Sequence, residues 1–172
     1  MVTSTMQIEL EPLSPCGTQP SFLAPLVHAI WPRRGAEIVA LFSEGSADVN
    51  ASKDHPFAIK LAGHYVGITG YYSYGPTSLG LCWHGVLPEV RGRGVSRAAF
   101  EQVLVLAAQR YPDATEIVEL IPSDRDADLV PYFTKLGFTH DGEIATFGYL
   151  PKGPLWRVFR AQVRTSPKQQ TH

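Results

Sequence analysis

Apolar residues recur along the chain in two periods, and the switches between those periods mark most of its elements. Residues 7–11 alternate polar and apolar side chains, as a half-buried strand does. Phe22, Leu23, Leu26 and Ile30 then fall at helical spacing within 22–31, with Pro25 confined to the first turn, where its missing N–H is harmless. Residues 34–42 give a second short helix, ended by Gly45. Two apolar-rich runs, 56–61 and 65–72, flank Ala62-Gly63-His64 and read as a β-hairpin. After Gly75-Pro76 a further strand runs over 78–86 and stops at Pro88.

The clearest helix covers 96–111, where Ala99, Phe100, Val103, Leu104, Leu106 and Ala107 form one broad apolar face. Pro112-Asp113 ends it. Residues 116–121 are short, mostly apolar and bounded by turn residues, which suits a largely buried strand. A helix over 124–136 follows, with Gly137 just past its end as a cap. A last pair of strands, 144–150 and 155–163, flanks Pro151-Lys152-Gly153-Pro154. Hairpins mixed with crossover helices call for an α/β fold: a mixed central β-sheet of six to seven strands with helices on both faces. One domain is expected over 1–164, and the polar stretch 165–172 reads as a disordered tail.

Composition narrows the classes further. With 172 residues, 44% of them hydrophobic and 18% charged, the chain can bury a core without cross-links. A formal net charge of -1 offers no general attraction to nucleic acid or to an anionic membrane, so neither is expected as a partner. The first residues lack a signal-peptide pattern, and no apolar run approaches the roughly 20 residues of a membrane helix. Cys16 and Cys82 are too few for a disulfide framework, and no cysteine or histidine spacing suits a metal. The expected setting is a reducing cytoplasm.

Candidate chemistry concentrates in 85–97, Gly85-Val86-Leu87-Pro88-Glu89-Val90-Arg91-Gly92-Arg93-Gly94-Val95-Ser96-Arg97. A strand enters a turn with two glycines, and a long helix follows directly. Glycine lets backbone approach a bulky ligand, and the N–H groups of a first helical turn point at whatever sits there. Those donors, the helix dipole and Arg91, Arg93 and Arg97 make a site for a diphosphate. The Walker pattern is absent, and the dinucleotide fingerprint fails because Arg97 stands where a third small residue is needed.

The segment resembles motif A of the GNAT superfamily of N-acetyltransferases, [QR]-x-x-G-x-[GA], with Arg91, Gly94 and Ser96 at its positions. Ser96 departs from the usual Gly or Ala but stays small, and its hydroxyl is suited to bond a phosphate. Residues 129–138, Leu-Val-Pro-Tyr-Phe-Thr-Lys-Leu-Gly-Phe, resemble motif B, which commonly ends F-Y-x-x-x-G-F. The resemblance extends over 7–163 and implies the GNAT fold. It also implies an acetyl-CoA donor, an amine acceptor and direct attack of the amine on the thioester in a ternary complex. Pantetheine amides would pair with backbone at Trp83, His84, Gly85, Val86 and Leu87. The N–H groups of Arg91, Gly92, Arg93, Gly94, Val95 and Ser96 would hold the pyrophosphate. Asp126 falls where many relatives carry an asparagine that bonds the pantetheine arm.

The proton transfers have two candidate bases. His84 lies on the strand that meets the donor, and strand alternation groups its side chain with Cys82 and Val86, opposite Trp83. Glu119 alternates with Ile117 and Ile121, so it is either paired or open to a wet cleft. Each also fits a structural role: a hydrogen-bonded histidine, or a carboxylate in an ion pair. The tyrosine that often serves as general acid in this family is replaced by Phe133, with Tyr132 one helical step away. A non-catalytic acyl-CoA-binding regulatory module is therefore the alternative to an enzyme. Tyr71, Tyr72 and Tyr74 are candidates for an acceptor cleft, Cys82 fits a buried structural thiol, and a homodimer stays open.

Overall fold

The computed structural model describes residues 7–14, 18–44, 55–123, 126–145 and 155–163. In chain order the elements are β1 (Ile8–Pro12), α1 (Leu23–Ile30), α2 (Gly35–Glu44), β2 (His55–Leu61), β3 (His64–Ser73), β4 (Ser78–Leu81) and β5 (Gly85–Val86). After a 3₁₀ turn, Pro88–Val90, come α3 (Val95–Arg110), β6 (Glu116–Pro122), α4 (Asp126–Leu136), β7 (Thr139–Ala145) and β8 (Trp156–Gln162). The chain divides into two compact units, one made of 1–73 with 81–105 and the other of 74–80 with 106–172.

In the first unit β1, β2 and β3 form an antiparallel sheet, and β5 adds to β3 through Gly67 opposite Val86. Residues 62–63 make the tight turn between β2 and β3, both at positive φ, Ala62 at 50° and Gly63 at 82°. That conformation matches the twist of the flanking strands. Helices cover both faces. Leu23, Leu26, Val27 and Ile30 of α1, one helical stripe, pack with Ile38 of α2 over Ala58 and Ile68. On the other face Val95 and Ala99 from the start of α3 pack over Ile59, Val66 and Val86.

In the second unit the strand order is β4, β6, β8, β7. β4 runs parallel to β6 through Ser78–Gly80 against Glu116–Val118, and the two remaining pairs are antiparallel. The N–H of Phe138 donates to the Phe133 carbonyl and that of Gly137 to Thr134, with Gly137 at φ 103°, so α4 ends in a Schellman motif. The Phe133 and Phe138 rings, both buried, meet edge to face 5.6 Å apart, the apolar contact that accompanies this cap. Arg160 donates to Glu116 at 2.7 Å, where the Ser78 hydroxyl also donates, and pairs with Glu143.

The fold class read from the sequence holds: a mixed α/β protein with one parallel strand pair. The strand expected over 78–86 is in fact two. It breaks at Cys82, Trp83 and His84, with Trp83 in the left-handed region at φ 52°, which makes eight strands among the described residues. The Cys82 N–H still donates to the Gly70 carbonyl of β3, and Gly85 pairs with Ile68 of the same strand, so three steps on one side meet two on the other and the break takes up the extra residue as a bulge does. The strand expected over 144–150 begins earlier, at Thr139, because the chain leaving the α4 cap pairs at once with β8. Cys16, Gly45, residues 146–150, the turn 151–154 and the tail 165–172 lie outside the described residues.

Candidate active site

The first unit brings together nearly all the residues singled out for donor binding. β5 faces β3 with the Gly85 carbonyl and the Leu87 N–H, the latter donating to Val66 at 2.8 Å. Val86 therefore directs its own N–H and carbonyl to the opposite edge, as alternation in an antiparallel ladder requires. Gly85 cannot carry a side chain, because an added Cβ would lie 2.5 Å from the Trp31 ring and 2.7 Å from Ile30. The end of α1 is thus pressed directly onto β5.

Beyond the 3₁₀ turn, Gly92 and Gly94 take φ of 74° and 82°, and a Cβ added to either would meet nothing within 4 Å. Both conformations disfavour any L side chain, and both open onto space. The helical ladder begins where the Ala98 N–H meets the Gly94 carbonyl at 3.0 Å. The N–H groups of Gly92, Arg93, Gly94 and Val95 precede that ladder, at the positive end of a 16-residue helix. Arg93 and Arg97 are exposed beside them.

Arg91 does something different from what its motif position suggests. Its guanidinium donates to the Val86 carbonyl and to the Ile30 carbonyl, both at 3.3 Å, and its N–H donates to Pro88. It ties the end of α1 to β5, and its own N–H is taken by Pro88, so the N–H groups left ahead of the α3 ladder start at Gly92. A sequence reading misses this because Ile30 is 61 residues away.

His84 lies in the strand break, so the alternation that grouped it with Cys82 and Val86 does not carry through. Its Nδ1 meets the Thr69 hydroxyl at 2.8 Å and its Nε2 the Ser96 hydroxyl at 2.9 Å. The Phe100 ring stands edge-on at 6.0 Å. The histidine is half-buried, and burial pushes its pKa down to about 4. Ser96, proposed from sequence to bond a phosphate, points its hydroxyl at His84.

Glu119 and Asp126 belong to the second unit. Glu119 stands opposite Phe159 on β8, between the fully buried Ile117 and Ile121, and burial raises its pKa well above the ordinary carboxylate value. The residue is half-buried, and among the described residues its carboxylate has no hydrogen bond or ion pair. Asp126 is the first residue of α4. Phe133 is buried at the expected tyrosine position, with Tyr132 edge-on to it at 4.9 Å. Tyr71 is core, packed against Phe57 and His55, whereas Tyr74 is exposed.

The second unit also has an open groove of about 710 Å³, lined by Val130, Pro131, Thr134, Phe138, Thr139, His140, Arg157 and Phe159. None of the candidate donor or catalytic residues lines it. Among the described residues no cluster of acidic, histidine or cysteine side chains suits a metal, and no helix is long and apolar enough to cross a membrane.

Residues 22–138 match the acetyltransferase (GNAT) family model, and the chain belongs to that family. Among solved structures, a GNAT-family chain from Desulfovibrio desulfuricans is similar at TM-score 0.67 and 15% identity, covering 92% of this chain and 100% of that one. A point mutant of spermidine N-acetyltransferase SpeG from Vibrio cholerae is similar at TM-score 0.61 and 15% identity, over 91% and 94% of the two chains. A GNAT acetyltransferase from Elizabethkingia anophelis with acetyl-CoA bound is similar at TM-score 0.59 and 13% identity, over 90% and 97%. At these identities the likeness is one of fold. No curated protein matches the sequence significantly.

Proposed function

We propose that this chain is an acetyl-CoA-dependent N-acetyltransferase that acetylates a primary amine of a small molecule or protein by direct attack in a ternary complex. The supporting observation is the loop at 92–96: two glycines at positive φ, each open onto space, within a run of N–H groups that precede the α3 ladder. A diphosphate is the ligand that such a cradle at a helix N-terminus accommodates best. Arg93 and Arg97 add positive charge, and Val86 offers an outward N–H, and the remaining lone pair of a carbonyl that already accepts from Arg91, for pantetheine amides, with Trp83, His84, Gly85 and Leu87 around it. Arg91 serves by holding the loop's entry, and Asp126 keeps its proposed place on the pantetheine arm.

Glu119 is the better proposed proton acceptor. A carboxylate whose pKa is raised well above its ordinary value is a stronger base than an imidazole held near 4. The departing thiolate takes its proton from solvent or from a group other than Phe133. That buried phenylalanine also supports a second reading, an acyl-CoA-binding module without turnover.

Acetyl-CoA is expected to raise the melting temperature, by about 2.7 kcal/mol of stabilisation at a hundredfold excess over Kd. Gly94→Glu sets bulk and negative charge into the cradle and removes that shift while the fold persists; an unchanged shift would refute the donor site. Release of free thiol from acetyl-CoA across an amine panel supports the enzyme. Binding without release supports the second reading.

A further inference from the structure

We propose that His84 is a positioning residue for the donor loop: by joining Thr69 on β3 to Ser96 on α3, it fixes the direction in which the loop's N–H groups point. The inference deepens the acyl-CoA reading above and rests on it.

Thr69 is fully buried in the middle of β3, where it faces Phe57 of β2, so the relay is anchored in the rigid part of the sheet. At the other end, Ser96 is the second residue of α3, in the first turn of the helix that follows the glycine loop. The imidazole spans the two, one hydroxyl at each ring nitrogen, 2.8 and 2.9 Å away. A neutral imidazole carries one donor and one acceptor, and a hydroxyl can play either part. Both ends are therefore satisfied in either tautomer, and geometry rather than proton placement is what the relay fixes.

The left-handed backbone at Trp83 makes the arrangement possible, since it interrupts β4 just before His84 and turns the chain into β5. The relay also accounts for Ser96 itself. A Gly or Ala there, the family's usual choice, would take the Ser96 hydroxyl away from Nε2 of a half-buried ring, which carries a desolvation penalty. Ser96 and His84 are thus one unit, twelve residues apart in sequence.

Calorimetric titration of coenzyme A into the full chain, for wild type, Ser96→Ala, Ser96→Thr, His84→Ala and the double alanine variant, tests this, with melting curves to confirm folding. Ser96→Ala and His84→Ala are each expected to weaken binding about tenfold, Ser96→Thr to stay within about threefold of wild type, and the double variant to be no weaker than the weaker single. Wild-type affinity in Ser96→Ala, or losses that simply add in the double variant, would overturn the proposal. If His84→Ala does not fold, Thr69→Val takes its place with the same expectations. If the wild type binds no coenzyme A, the donor reading falls instead, and amide exchange at Ala98 decides the relay. Exchange about tenfold faster in Ser96→Ala but not in Ser96→Thr upholds it, and equal exchange in both rejects it.

Discussion

A carboxylate set between two fully buried isoleucines loses hydration and, among the described residues, gains neither a cation nor an N–H donor in return. For Glu119 the consequence for stability has a definite sign. Its folded pKa is raised, so the associated stability is complete below the unfolded value of about 4.3 and is lost as pH rises through the folded pKa. Glu119→Gln should therefore melt higher than wild type at pH 8, and the advantage should vanish below about pH 4. If Glu119 is also the proton acceptor, the same substitution lowers turnover about a hundredfold or more. A gain in melting temperature with turnover intact would mark a purely structural carboxylate. The setting of Glu119 was legible in the sequence, because alternation along a short buried strand fixes which neighbours share its face. The partners of His84 and Arg91 were not. Both reach groups on other elements, and no local pattern encodes such contacts.

At the level of elements, the periodic signals held wherever a single physical preference decided the outcome. The α3 face, the Gly137 cap and the hairpin at 62–63 follow from helical spacing, positive φ and turn chemistry. The hairpin carries a defect that invites repair: Ala62 sits at φ 50°, where a Cβ is disfavoured and asparagine is better tolerated. Ala62→Asn is expected to stabilise the protein by about 0.5–1 kcal/mol in denaturant unfolding, with the slope unchanged. The break between β4 and β5 was hidden because Ser78-Leu79-Gly80-Leu81-Cys82-Trp83-His84-Gly85-Val86 contains no residue that announces it. Tryptophan is a strand former, and its left-handed φ is imposed by pairing on β3 rather than by its own preference.

For the molecule as a whole, the sequence yielded the fold class and the family because two motifs stand in the right order. How many strands there are and which side chains meet depended on tertiary structure. One global property follows from the buried relay. The His84 pKa is lowered in the fold, so its contribution to stability is complete above the unfolded value of 6.5 and is lost as pH falls toward about 4. A shift of that size corresponds to roughly 3 kcal/mol. Equilibrium unfolding between pH 7 and 4 should show a steep loss for wild type and a shallower one for His84→Gln; parallel curves would contradict the relay's burial. The contact that forbids a side chain at Gly85 has a different use. Trp31 lies against β5 and Trp83 stands two residues before it, so two of the chain's three indoles border the strand assigned to the donor. The protein thus has its own optical probe: the colour and intensity of its ultraviolet emission report on that strand without any attached label.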